Sequence, residues 1–417
     1  MVKGICFMRV DFIICSNSDL WFDECVKYIE DLIIPAGVEI SVLGITEVFS
    51  MAEGYEQGRN ASPADYKVYL RPDVFIVNRH FIEDIDAVFN ADERIGIIGM
   101  LGNDEVGEQS VAWDKWKYGK VIDGNGVEQI LADYGEITGQ YRAVDCLDGM
   151  VLVTRYDIPW REDIFTGWHF YDKSICLEYK RQGYFCVVPR QETPWCVRAG
   201  GSGPAGWNDG LRVYLDEYRD FFQSDIVLGN TGLPDQEILQ RADLTADRLE
   251  GLIDQRKMQE ALGFMDEIAG SDTFRKNRRL VFCETLLEIW KTEEHGLFFA
   301  VGDDVAKMRT KYVKAFFLLQ RKYYGLSLDS EETEFLSGLT GGERAVIMRH
   351  ELTLHNQGGS DIGQVIGGLV QIVQKAGALL KTLGGDGNTD AEREALGAAD
   401  LAAMLNVAER MVSESAD

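Results

Sequence analysis

The chain has 417 residues, and its 69 acidic against 42 basic side chains give a formal charge of −27 at pH 7. That length exceeds one ordinary domain, and that charge repels nucleic-acid phosphates and anionic lipid surfaces, which argues against nucleic-acid binding. A nucleotide diphosphate bound by such a chain would need a local gathering of arginine, lysine, metal or backbone amides.

Val10-Asp11-Phe12-Ile13-Ile14-Cys15 reads as a first strand, followed by the short polar capping residues Ser16-Asn17-Ser18-Asp19 and a helix carried by Cys25, Ile29, Leu32 and Ile33. Val38 to Leu43 is the next strand. Lys67-Val68-Tyr69-Leu70 is another, stopped by Pro72, which has no amide hydrogen for a ladder. Asp73 therefore falls just past a strand end, where open α/β sheets bind their ligands. Arg94 to Met100 and Gly149 to Val153 supply two more strands, separated by a loop-rich aromatic segment with Trp113, Trp116 and Tyr118. From residue 10 to 222 this alternation predicts an α/β domain on a largely parallel sheet.

After about residue 225 the strand patterns stop and helical periodicity takes over, through Leu249-Ile253, Leu262-Met265, Leu286-Trp290 and Tyr312-Leu319. Leu228 to Pro234 reads as a linker and Gly384 to Asn388 as a second break. The expected organisation is an α/β domain over 1–225, a helical domain over 226–383 and an acidic tail helix over 384–417. The eight cysteines are scattered and form no CxxC pair, so they read as buried reduced thiols. No uncharged apolar run reaches about 18 residues, and the first residues lack an export pattern, so a cytoplasmic protein is expected. Ile362 to Leu383 comes nearest to a membrane segment, but its polar interruptions suit a packed amphipathic helix. His350 and His355 are five apart, about 140° on a helix, which is not the zinc-protease spacing.

The chemistry-bearing residues are Asp73 with Arg71, Ser16-Asn17, Asp148 before Gly149, the segment Thr166-Gly167-Trp168-His169-Phe170-Tyr171-Asp172, and Arg198 beside Gly200 and Gly201. Each also has a bland reading. Asp73 and Asp148 suit turns, Asp172 suits the N-cap of a helix over 173–182, His169 suits packing among aromatics, and the glycines suit a linker.

Taken together, the segment Cys146 to Val153, then Phe165 to Asp172, then Cys196-Val197-Arg198-Ala199-Gly200-Gly201, resembles a bacterial glycosyltransferase-like family akin to family 2 glycosyltransferases. The resemblance covers roughly residues 8–205 and implies the glycosyltransferase A fold, followed here by an all-α region. It implies transfer of a sugar from a nucleotide-diphosphate donor to a hydroxyl acceptor, by inversion, with Asp172 as base and Asp148 or His169 as further catalytic candidates. It places Ser16 and Asn17 near the base of the nucleotide. Independently of the resemblance, Trp168 and Trp113 suit stacking on the apolar face of a sugar ring, core packing being the commoner use of tryptophan. Asp73 takes the place of the acidic residue that helps hold Mn²⁺ or Mg²⁺ on the diphosphate.

The sequence departs from that pattern twice. The expected His-Gln-Asp is Arg71-Pro72-Asp73, and the expected distal His is Arg198. Arginine has no free lone pair for a metal but can fork onto phosphate oxygens, so diphosphate binding by Arg71, Arg198 and the Gly200-Gly201 backbone without metal is one expectation. An Arg71–Asp73 ion pair in a decayed site is the other. A third departure is Tyr55-Glu56, where relatives tend to have Tyr-Asn. In the transferase reading the helical region receives the acceptor, a partner protein or a second copy. The alternative to an enzyme is a non-catalytic nucleotide- or sugar-binding protein of the same fold, with the helical region as its interaction module.

Overall fold

The computed structural model describes residues 8–104, 116–124, 129–200, 206–222, 236–268, 277–292, 304–339 and 343. Trp113, Gly201, the linker at 228–234, His350 and His355, the segment 362–383, the glycine break at 384–388 and the tail helix lie outside the described residues.

The first half is mixed α/β. Its main sheet has seven strands in the order β2-β1-β3-β11-β5-β12-β9. In chain order these are β1 (Met8–Cys15), β2 (Val38–Ile45), β3 (Tyr66–Leu70), β5 (Ile95–Gly99), β9 (Tyr141–Val144), β11 (Val151–Thr154) and β12 (Phe185–Pro189). Helix α1 (Asp19–Glu30) crosses from β1 to β2, α2 (Met51–Ala61) from β2 to β3, and α3 (Phe81–Ala91) leads to β5. Strands β1, β2 and β3 pair in parallel, and so do β5 and β12. The largely parallel sheet expected from the sequence is interrupted: β11 lies antiparallel to both β3 and β5, and β9 antiparallel to β12. The reason is the route of the chain, which leaves β5 at its carboxyl end, builds a second sheet, and re-enters from that same end.

The second sheet occupies much of the segment read as loop-rich. It contains β4 (Val74–Ile76), β6 (Leu101–Asn103), β7 (Tyr118–Gly124), β8 (Gln129–Tyr134), β10 (Cys146–Leu147) and β13 (Cys196–Arg198). Strands β4, β6, β10 and β13 are two or three residues long and paired with distant segments, so local periodicity hides them, whereas β7 and β8 form a local hairpin that the loop-rich reading misses. Helix α4 (Tyr171–Arg181) and α5 (Trp207–Glu217) cover the main sheet, sharing a core with Ile13, Tyr55, Tyr69, Leu152 and Trp160. Seven described cysteines are free and buried.

The described residues from 236 onward are helical: α6 (Gln236–Asp254), α7 (Met258–Ile268), α8 (Arg278–Thr292), α9 (Val305–Tyr323) and α10 (Ser330–Ser337). Among the described residues no helix is long and apolar enough to cross a membrane. Helix α9 belongs to two cores. Its first half (Val305, Met308, Tyr312, Ala315) packs with α6, α7 and α8, while Phe316 and Phe317 enter the core beneath the main sheet. There Phe317 meets Trp21 edge-on, ring centres 4.7 Å apart, and Phe75 at 5.5 Å. Gln320 bridges Gln129 at 2.7 Å and Tyr28 at 3.1 Å. Alongside, Arg321 and Lys27 both bond Glu332, and Arg321 Nε lies 3.1 Å from Glu24. The helical region is thus docked on α1, the helix that follows Ser16 and Asn17.

Candidate functional site

Five chain segments meet at one end of the main sheet, and the pairing explains why. The parallel register brings the ends of β1 and β3 level, so Ser16-Asn17 and Arg71 share an edge. Strand β11 runs the other way, with Val151 opposite Leu70, so Asp148 and Gly149 precede it at that edge. Strand β13 lies against β4 with Arg198 opposite Val74, and the Ala199 amide donates to the Asp73 carbonyl at 2.9 Å. Finally the Gly149 amide donates to Asp172 at 3.1 Å, fastening the first turn of α4 to the same edge. This edge lies beyond the carboxyl ends of parallel strands β1 and β3, the position at which open α/β sheets bind ligands.

Within it Arg71 and Asp73 form a two-pronged ion pair, Nε to Oδ1 at 2.9 Å and Nη2 to Oδ2 at 2.8 Å. Burial would lower the Arg71 pKa, but Asp73 and then Tyr171 push it upward, so the guanidinium stays charged. Arg198 forks in the same way onto Asp123, at 2.6 and 2.5 Å. Its pKa is also raised: burial opposes the charge, while Asp123 and Asp148 favour it. The two cations sense each other's repulsion, and Asp148 senses both.

The two carboxylates differ. Asp172 has both oxygens occupied by backbone amides, Oδ2 by Gly149 and Oδ1 by Lys173 at 2.9 Å. It sits in the first turn of α4 and is not the N-cap: the helix begins at Tyr171, earlier than the sequence reading, because Phe170 turns the chain at φ 64°. That left-handed conformation is unusual for an aromatic residue and is held by packing on Trp207 and Tyr214, with ring centres 5.1 and 5.3 Å away. Asp148 accepts one bond, from Met150 N to Oδ1 at 2.9 Å. Among the described residues its Oδ2 takes none. Burial pushes the Asp148 carboxyl above the usual range, Arg198 pulls it down, and Asp172 pushes it up again, with a net rise.

The remaining sequence candidates are spread around this centre. Ser16 is buried, its hydroxyl bonded to the Ser18 carbonyl and amide at 3.0 and 3.1 Å, whereas Asn17 is exposed. Trp168 is 47% exposed, an indole on the rim. His169 is half-buried and packs near Gly210 of α5. Gly200 is buried beside Ala199. Glu56, the third departure, accepts from the Trp160 amide at 2.9 Å and forks with Arg59, which occupies it structurally. Sequence reasoning passed over Asp123 and Lys173. Only the β7–β13 pairing brings Asp123 to Arg198, and no local pattern shows that. Lys173 was legible, as a cation in the first turn of the helix, next to Asp172.

Gly149 is required sterically, since a Cβ there would lie 2.3 Å from the Tyr171 hydroxyl. Gly149→Ala is expected to cost about 1–3 kcal/mol of stability by overpacking and to separate Asp148 from Asp172; denaturant unfolding measures the first effect.

A divalent metal fits these residues poorly. Both Asp73 oxygens are held by Arg71, the distal position is an arginine already forked onto Asp123, and arginine cannot ligate. Among the described residues no three His, Cys, Asp or Glu side chains gather as a metal cage.

Residues 11–218 match the model of the "Glycosyltransferase like family". Through this domain the chain belongs to that family. The match spans the main sheet, both carboxylates and both arginine forks, and stops before the helical region. No curated protein matches the chain. Among solved structures, A197 from STIV aligns at 14% identity over 44% of this chain and 82% of that one, with a TM-score of 0.27. A score that low establishes no shared fold. The glycosyltransferase-like assignment agrees with the mixed α/β architecture found here.

Proposed function

We propose that the protein transfers a sugar from a nucleotide-diphosphate donor to a hydroxyl acceptor by direct inverting attack, without a metal ion. The observation that carries the reading is the convergence of Arg71, Arg198, Asp148 and Asp172 on the carboxyl end of the sheet in a glycosyltransferase-like domain. Asn17 and Ser16 face the nucleotide side. Arg71, Arg198 and the Gly200 backbone receive the diphosphate, and Trp168 offers an apolar face to a sugar ring.

Asp148 is the favoured base. Its free oxygen and raised pKa suit it to take the acceptor proton, whereas Asp172 spends both oxygens on backbone amides and holds α4 in place. In the step, the acceptor oxygen bonds to the anomeric carbon and gives its proton to the base. The bond from that carbon to the phosphate oxygen breaks, and its electron pair leaves on the diphosphate. Positive charge fixed beforehand stabilises that departure.

One observation favours the rival reading of a non-catalytic binding protein: each arginine is already neutralised by its own carboxylate. Binding a diphosphate must then displace or share Asp73 and Asp123. Thermal stabilisation by UDP-, GDP- and TDP-sugars, with and without EDTA, tests the proposal. Stabilisation by one donor, indifferent to EDTA, is expected. A requirement for Mn²⁺ would overturn the metal-free part, and no response to any donor would overturn the whole. Arg71→Met is expected to weaken the responding donor by about tenfold or more, the scale of a lost charged hydrogen bond.

A further inference from the structure

A third cation near Asp148 is held in another way than the two arginines. Lys173 follows Asp172 in the first turn of α4 and is buried. Its ammonium sits over the rings of Trp116 and Phe170, 5.2 and 5.4 Å from their centres. Among the described residues no carboxylate oxygen comes within ion-pair distance of it. It nevertheless stays charged. Burial opposes ionisation, but Asp172 leads the groups that favour it, followed by Cys146 and Asp148.

Arg71 and Arg198 must loosen a two-pronged carboxylate to accept a phosphate. Lys173 has no such bond to break, and the cost of moving it out of water is already met in the folded protein. A compact ammonium with three donors, held by two aromatic faces beside Asp148, is a ready partner for an anionic oxygen.

We propose that Lys173 contacts the phosphate oxygen of a nucleoside diphosphate at this site, the oxygen that carries the electron pair when the sugar leaves. This rests on the sugar-transfer reading and adds the group that bears the leaving charge.

The test uses the full chain and the nucleoside diphosphates UDP, GDP and TDP, each against its parent nucleoside, by titration calorimetry. Lys173→Met should lose about tenfold or more in affinity for the diphosphate that wild type binds, with the parent nucleoside unaffected, and Lys173→Arg should recover most of the loss. A folded Lys173→Met protein that binds the diphosphate as wild type does overturns the proposal and leaves the transferase reading intact. Wild type that binds none of the three overturns both. If the Met variant does not fold, Lys173→Gln takes its place in the same titrations: a loss of about tenfold or more for the diphosphate supports the contact, and affinity equal to wild type overturns it.

Discussion

Asp148→Asn is expected to depress turnover by about two orders of magnitude or more, the usual scale for a general base, while donor binding changes little. The expectation follows from the inequality of the two carboxylates. Asp172 is fastened through Gly149 and Lys173 amides, while Asp148 retains an oxygen for an acceptor hydroxyl. Asp172→Asn should act through position instead, loosening the start of α4 and lowering thermal stability together with activity. The pH profile separates them further. Because burial raises the Asp148 pKa, a base at that position loses its negative charge at a higher pH than an ordinary carboxylate does. Turnover should therefore fall on acidification from above the usual carboxylate range, and the fall should vanish in the residual activity of Asp148→Asn. An acidic fall that persists unchanged in Asp148→Asn would remove the role from Asp148.

Arg321→Met is expected to destabilise the protein by about 3–5 kcal/mol in denaturant unfolding, the cost of stranding buried charge. Arg321 bonds Glu332 at 2.5 and 3.1 Å and faces Glu24 at 3.1 Å, all in a buried seam between α9, α10 and α1. Burial pushes Glu24 up to about 7 against the opposing pull of Arg321 and Lys27. Glu332 goes the other way. Burial opposes its ionisation, but Arg321, Lys27 and the Asp329 amide bring it down to about 2.

These shifts have opposite signs in stability. Between about 4.5 and 7 the folded protein holds a proton on Glu24 that the unfolded chain releases, so this contribution is full below 4.5 and is lost as pH rises through 7. Glu332 contributes above 4.5 and is lost as pH falls towards 2. Glu24→Gln should flatten the decline of stability between pH 5 and 8, which unfolding midpoints across that range would show. Since α1 follows Ser16 and Asn17, weakening this seam should also loosen the nucleotide side of the site.

Much of the N-terminal half was legible because its signals are local. The strands ending at Cys15 and Leu70 showed in apolar runs stopped by polar or proline residues, and that placed Asp73 at a strand end. The second sheet was not legible, since β6, β10 and β13 are two or three residues long and acquire meaning only from distant partners. The antiparallel β11 was hidden for a related reason: a buried strand reads the same in either direction. At the site, the residue types were visible but their partners were not. Arg71 and Asp73 are two residues apart and their pairing could be weighed from the sequence. Arg198 and Asp123 are 75 apart and joined only by strand pairing. The dual membership of α9 was also invisible, because Phe316 and Phe317 look like one helix stripe until the fold divides them between two cores.

The most direct test is release of nucleoside diphosphate from a panel of UDP-, GDP- and TDP-sugars by the full chain, with a hydroxyl acceptor, in EDTA and in Mn²⁺. The account predicts that one donor is consumed at the same rate in both, and that Asp148→Asn slows the release by about two orders of magnitude or more. Binding of a donor with no release under any condition would contradict it and leave a binding protein of the same fold.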